Sequence, residues 1–368
     1  MFTPCYEFSC QLGWQNSIRR GIVKRLLKQA AIMGGLEAIS RLPADRLFPA
    51  AGGRGLIFTM HHVRPKYPST FDPNAHLEIT PDFLDMALTA TRQAGLVPVR
   101  LEDLPALLAD PEDRRRFVCF TLDDGYRDLR MHAAPIFRRH NVPYTVFVTP
   151  GFVDRSSTLW WNTAARVLAA TDVLRMDFGQ GEEVLEAASL RQKFTAFEYI
   201  CDRFGTGVQP RLTLELDRRA AALGIYPEEV VDQEVMNEYE LKALAEDPLV
   251  SFGGHTLTHP ALSRLPQDIM RHEIGESMKQ VATLTGREVL SFAYPYGTTS
   301  AASSREFQAA KDAGIRIAVT TRPGMLDRRI MEEQPTAVPR VSLNGLYQKD
   351  RYLPALISGV PFKLQRSA

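Results

Sequence analysis

A chain of 368 residues with 45% hydrophobic and 24% charged residues is long enough for one large α/β unit with extensions and is ordinary in composition for a globular protein. Its formal net charge of +1 argues against nucleic-acid binding or a strongly polybasic membrane protein. No apolar run of about 18 residues is present and the first residues lack a signal-type apolar core, so no transmembrane helix and a cytoplasmic location are expected; Cys5, Cys10, Cys119 and Cys201 form no CxxC, which fits a reducing compartment.

Residues 1–50 are read as an N-terminal extension built on one amphipathic helix over 16–42, with Gly34-Gly35 as a candidate break. Arg19, Arg20, Lys24, Arg25 and Lys28 lie mostly between its apolar positions. Such a helix suits peripheral contact with a membrane surface, but the modest apolar face favours packing against the outside of the fold.

From there the chain alternates. Strands are expected over 56–60, 97–99, 117–120 and 144–148, with helices over 81–94, 101–108 and 128–139 between them; Thr80 is the N-cap of the first helix and Gly95 its stop. The rhythm breaks over about 156–246, a polar and mostly helical insertion that begins near Trp160-Trp161 and is a candidate lid or cleft wall. It resumes with strands over 249–252, 289–293, 315–320 and 337–343, helices over 266–285 and 304–313, and a helical tail over 346–368. The pattern implies a parallel sheet covered by helices over 51–345.

Two stretches carry chemistry. Asp123-Asp124-Gly125 follows the apolar run Phe117 to Leu122, and an acid pair at the end of a buried strand is costly without a compensating partner. Alone it reads equally as a turn. His255-Thr256-Leu257-Thr258-His259 follows another strand through Gly253-Gly254, which are expected to turn the chain sharply. On a helical turn the spacing of four puts both imidazoles on one face, and Thr256 and Thr258 can fix the turn through local hydrogen bonds. Two histidines and one carboxylate make a zinc-type donor set with an open position. Spacing alone does not say which acid joins them.

These residues, with Phe292-Ala293-Tyr294-Pro295-Tyr296-Gly297, resemble the first three motifs of the polysaccharide deacetylases, the carbohydrate esterases that include chitooligosaccharide deacetylases. The resemblance spans 56–343 and implies a distorted (β/α)7-type barrel with its site at the C-terminal ends of the strands. By position it makes Asp123 the catalytic base and Asp124, His255 and His259 the ligands of a divalent metal, zinc most often and cobalt as an alternative. The substrate implied is an N-acetylated carbohydrate, and no nucleic-acid partner is implied.

Two departures stand out. Ala293 occupies the place of the arginine that orients the base, and Arg340 is the candidate replacement. The late family histidine that serves as general acid is absent, since no histidine follows His272. Met60-His61-His62-Val63 resembles the Tyr-His-x-Val stretch of a permuted branch, in which an early histidine is the acid. His61 is that residue by position and His62 the runner-up; a satisfied core histidine is the plain alternative.

The resemblance further implies that the backbone N–H of Tyr296 stabilises the oxyanion. Tyr296, Pro295, Trp160, Trp161 and His62 are candidate substrate contacts, with a packing role expected for at least one tryptophan. The rival activities are deacylation of a small amide or of a lipid-linked formamido- or acetamido-sugar, and carbohydrate binding without turnover.

Overall fold

The computed structural model describes residue 27 and residues 29–366. Eight parallel strands form one curled sheet: β1 (Gly55–Met60), β2 (Leu96–Pro98), β3 (Arg116–Leu122), β4 (Tyr144–Val148), β5 (Val250–Gly254), β6 (Ser291–Ala293), β7 (Ile317–Val319) and β8 (Val341–Ser342). The order is β7-β6-β5-β4-β3-β1-β8, with β2 pairing the first half of β3. Val338, just ahead of β8, bridges to Val319 of β7, so the two edges of the sheet meet through a short, irregular seam. This is the distorted (β/α) barrel expected from the sequence.

Side chains alternate across the strands, as the two-residue period requires. Ile57, Phe117, Cys119, Phe147, Ala293, Ile317 and Val319 share one buried cluster. Leu56, Phe58, Val118, Phe120, Val146 and Val148 face the other way into the larger cluster that the surrounding helices cover. Burial on both faces explains why these strands read as unbroken apolar runs. Cys119 is a buried thiol of the first cluster.

Several expectations shift in detail. The N-terminal helix runs unbroken over 29–39, straight through Gly34-Gly35, while the part of the 16–42 expectation before residue 27 lies outside the described residues. The helix after β3 begins as a wide π turn, Leu129–Ala133, before the regular Ala134–His140 segment. Pro135 has no N–H to close a normal turn there.

The 156–246 region is not purely helical. It holds an antiparallel hairpin, Val173–Asp177 with Glu182–Glu186, among the helices Trp160–Ala170, Leu190–Thr206, Gln209–Ala222, Pro227–Glu234 and Glu238–Ala245. Leu174, Met176 and Leu185 are its buried positions, a period-two signal too short and too diluted by acids to stand out. Among the described residues no helix is long and apolar enough to cross a membrane.

Candidate active site

The acid pair sits where β3 ends, and its two members point to different tasks. Asp123 and Arg340 are almost wholly buried, at 2% and 0% exposure. Arg340 donates from both terminal nitrogens to the two carboxylate oxygens of Asp123, each at 2.7 Å. The same guanidinium donates to the Thr320 carbonyl at 2.9 Å and to the Thr121 hydroxyl at 3.0 Å, and lies 5.7 Å over the Phe147 ring. Burial pushes the Asp123 carboxyl up, but the charge and hydrogen bonds of Arg340 outweigh it and hold Asp123 below the usual carboxylate range. Arg340 immediately precedes β8, whereas Ala293 at the end of β6 carries no charge.

Asp124 adopts φ 70°, a left-handed conformation uncommon outside glycine, and this turns its side chain away from Arg340's side of the strand end. Its Oδ1 lies 3.4 Å from His255 Nε2 and 3.3 Å from His259 Nε2. One ligand atom from each of the three residues lies within 4.8 Å of the others, and all three side chains are buried. The histidine stretch is not the helical turn that the spacing of four suggested. Thr256 and His259 take φ 60° and 61°, and it is this loop, not a helix face, that converges the imidazoles.

The loop is held from outside by Glu273. Its carboxylate accepts the backbone N–H groups of Leu257 and Thr258 at 2.7 and 3.0 Å and the Thr258 hydroxyl at 2.7 Å. Thr256 Oγ1 donates to the His255 carbonyl and accepts the His259 N–H. Gly253 and Gly254 belong to β5 and do not form the sharp turn expected of them. A Cβ on Gly253 would lie 2.3 Å from the Phe147 ring, so glycine is there for close packing beneath Arg340.

The donor set fits a divalent cation on the chemistry of its atoms. The Ala293 carbonyl, which can only accept, lies 2.7 Å from His255 Nδ1, so Nδ1 carries a proton and Nε2 is the ring atom left to ligate in the neutral imidazole. Asp124 Oδ1 is buried without a hydrogen-bond partner although two imidazole nitrogens face it. A buried carboxylate oxygen and two imidazole nitrogens form the three-ligand set typical of catalytic zinc.

The adjacent histidines diverge at the end of β1. His61 Nε2 lies 3.9 Å from Asp123 Oδ2, with 24% of its side chain exposed. Burial pushes its imidazolium down, against the pull of Asp123 and Asp124. His62 is buried; its Nδ1 meets Asp128 Oδ2 at 2.5 Å, and its ring stacks 3.6 Å from Tyr126. Asp128 also accepts the Val63 N–H. His62 is therefore engaged in packing and pairing, while His61 faces the acid pair.

Tyr296, at φ 61°, places its ring 5.1 Å from that of His259. Its phenol oxygen accepts from Trp160 Nε1 at 3.0 Å and from Gln209 Nε2 at 2.8 Å. Pro295 is buried in the turn, its carbonyl accepting the Gly297 N–H. Trp160 and Trp161 are both buried, so neither is the open stacking platform that a sugar contact would use. Trp160 stacks 4.1 Å from Phe204, and Trp161 donates to the Tyr126 hydroxyl and lies 5.0 Å from the His259 ring. They form the wall behind the histidines. Glu273, Asp128, Tyr126 and Gln209 are site-supporting residues absent from the sequence expectations.

A curled parallel sheet thus carries an Asp/His/His cluster and an arginine-clamped carboxylate at its strand ends. The family model described as polysaccharide deacetylase matches residues 223–318, a stretch that holds His255, His259 and Tyr296 and so resembles that family. No curated protein matches the chain. Among solved structures, the Streptococcus pyogenes deacetylase PplD in complex with acetate superposes with a TM-score of 0.54 at 16% identity, covering 82% of this chain and 97% of that one. IcaB from Ammonifex degensii gives 0.51 at 16% identity over 83% of this chain and 98% of its own. A polysaccharide deacetylase from Bacillus cereus gives 0.51 at 14% identity over 82% of this chain and 68% of its own. At these identities the likeness is one of fold.

Proposed function

We infer that the chain removes N-acetyl groups from an N-acetylglucosamine-type oligo- or polysaccharide and releases acetate. The observation that carries this is the pairing of a carboxylate fixed by Arg340 at 2.7 Å with a neighbouring Asp124–His255–His259 donor set. A same-fold deacetylase solved with acetate supports the product. A divalent cation, zinc or cobalt, held by Asp124, His255 and His259 would supply Lewis acidity toward a water and the amide carbonyl.

The remaining steps belong to the side chains. Asp123, kept ionised and oriented by Arg340, accepts the proton of the attacking water. The Tyr296 N–H donates to the oxygen that gains charge as the carbonyl carbon becomes tetrahedral. His61, across from Asp123, delivers a proton to the departing amine nitrogen, which is a poor leaving group unprotonated. The C–N bond breaks, leaving the free amino sugar and acetate. His62 and the two tryptophans shape the site without touching the reacting atoms, and Pro295 sets the turn that presents Tyr296.

The same reading places the protein in the cytoplasm, with residues 16–42 available for peripheral membrane contact; exposed Leu27, Met33 and Leu42 support the contact. The test is acetate release by the zinc- or cobalt-loaded protein from N-acetylated chitooligosaccharides and from small amides. Release from the sugars is expected. Release from the small amides or formamido-sugars alone, or tight oligosaccharide binding with no acetate, would replace this function with a rival.

A further inference from the structure

The 156–246 region reaches each of the three loops that build the site. Met236 N donates to the Gly125 carbonyl at 3.1 Å, next to Asp124. Trp161 donates to Tyr126, and Trp160 and Gln209 to Tyr296. One side chain in the region holds two of these loops at once. Gln209 Oε1 accepts the Ala261 N–H at 2.7 Å, two residues beyond His259, while its Nε2 donates to the Tyr296 hydroxyl at 2.8 Å.

The orientation of this carboxamide is forced. A backbone N–H can only donate, so the oxygen must face Ala261 and the nitrogen must face Tyr296. Gln209 is buried at 9% exposure, and it is the first residue of the Gln209–Ala222 helix, with Pro210 fixing the backbone after it. The two loops it joins each carry a non-glycine residue in the left-handed region, His259 at φ 61° and Tyr296 at φ 61°. Such conformations persist only where surrounding bonds over-determine them.

We propose, resting on the deacetylase reading, that Gln209 is a positioning residue that locks the metal-ligand loop to the oxyanion loop. The 156–246 region is then a fixed brace of the site and not a lid. Gln209 touches no reacting atom and acts through His259 and Tyr296.

The test is hydrogen exchange on the full chain, read over 256–262 and 294–298, for Gln209→Leu and Gln209→Glu, with zinc titration and deacetylation kinetics alongside. Gln209→Leu should raise exchange in both loops by about tenfold, leaving β3 and β4 protected. Gln209→Glu offers one carboxylate oxygen to the Ala261 N–H and the other to the Tyr296 O–H, so both loops should stay near wild-type protection. In Gln209→Leu kcat should fall by up to about a hundredfold with KM little changed, and Gln209→Glu should recover most of that loss. Wild-type exchange in both loops of Gln209→Leu overturns the proposal, as does equal loosening of the whole 156–246 region by both variants. If Gln209→Leu does not fold, Gln209→Met, unbranched and of similar length but without either hydrogen bond, makes the same test. A wild-type protein that releases no acetate defeats the deacetylase reading, while the exchange pattern still decides the brace.

Discussion

Arg340 and Asp123 meet through two parallel hydrogen bonds of 2.7 Å, with neither side chain reaching solvent. The pair joins the residue just before the last strand to the residue just after the third, 217 residues earlier. Removing one member of a buried pair strands the other charge. Arg340→Ala should therefore destabilise the fold by about 3–5 kcal/mol, with part of the loss recovered when Asp123→Asn is added. Arg340→Lys keeps the charge but not the planar fork and should fall between. Chemical denaturation of the four proteins checks this; equal losses in the single and double variants would refute the coupling.

The two acids should separate in metal binding. Asp124→Ala removes the carboxylate that faces both imidazoles, whereas Asp123→Asn leaves the donor set intact. Elemental analysis after equilibrium dialysis against zinc should find about one equivalent per chain in Asp123→Asn, as in wild type, and little in Asp124→Ala. Full zinc content in Asp124→Ala would remove that residue from the ligand set.

Glu273 touches no candidate ligand atom, yet its carboxylate takes three donors from the loop between His255 and His259. An amide in its place has one acceptor oxygen to offer. Glu273→Gln should weaken zinc binding by about 10–100-fold, the usual effect of losing a group that orients ligands. Competition with a chromophoric chelator gives the affinity; a wild-type value would make Glu273 merely structural.

The two histidines at the end of β1 should fail differently. His61→Gln should lower kcat by about 10²–10⁴ at unchanged stability, as loss of a general acid does. His62→Gln disturbs the buried pair with Asp128 and the stack on Tyr126, and should cost about 1–3 kcal/mol of stability. Kinetics and melting of the same two preparations separate them. A kcat loss confined to His62→Gln would exchange their roles.

The strand rhythm was legible because parallel strands buried on both faces leave apolar runs, as in Tyr144–Val148. The acid pair and the histidines were legible because charged groups at strand ends need a reason. Their geometry was not. The spacing of His255 and His259 suggested a helical face, but left-handed residues at Thr256 and His259, held by Glu273, make a loop instead. Neither Glu273 nor Gln209 carries a local signal, since their partners lie 15 to 87 residues away and only tertiary packing brings them together. Arg340 could be suspected from the vacancy at Ala293, yet nothing in the chain alone aimed its guanidinium at Asp123. The hairpin at Val173–Glu186 was hidden by five acids on or beside strands of five residues each.

Asp217 offers a pH dependence away from the site. It lies on the Gln209–Ala222 helix, where the Thr158 hydroxyl donates to it at 3.1 Å and no cation pairs with it among the described residues. Burial, with help from Glu228 and against the Thr158 hydrogen bond, pushes its carboxyl up from 3.8 to about 6. A folded value above the unfolded one means that the protonated form suits the fold. The stabilising contribution is full below 3.8 and is lost as pH rises through about 6. Asp217→Asn keeps an acceptor for Thr158 and cannot ionise. Near neutral pH and above it should be more stable than wild type by about 1–2 kcal/mol, a figure reduced for partial solvent screening. The difference should shrink to nothing as pH falls through the 6 to 3.8 window. Urea unfolding of both proteins across that window measures it. An advantage that stays constant with pH, or a variant less stable above the window, would show that Asp217 is not the group responsible.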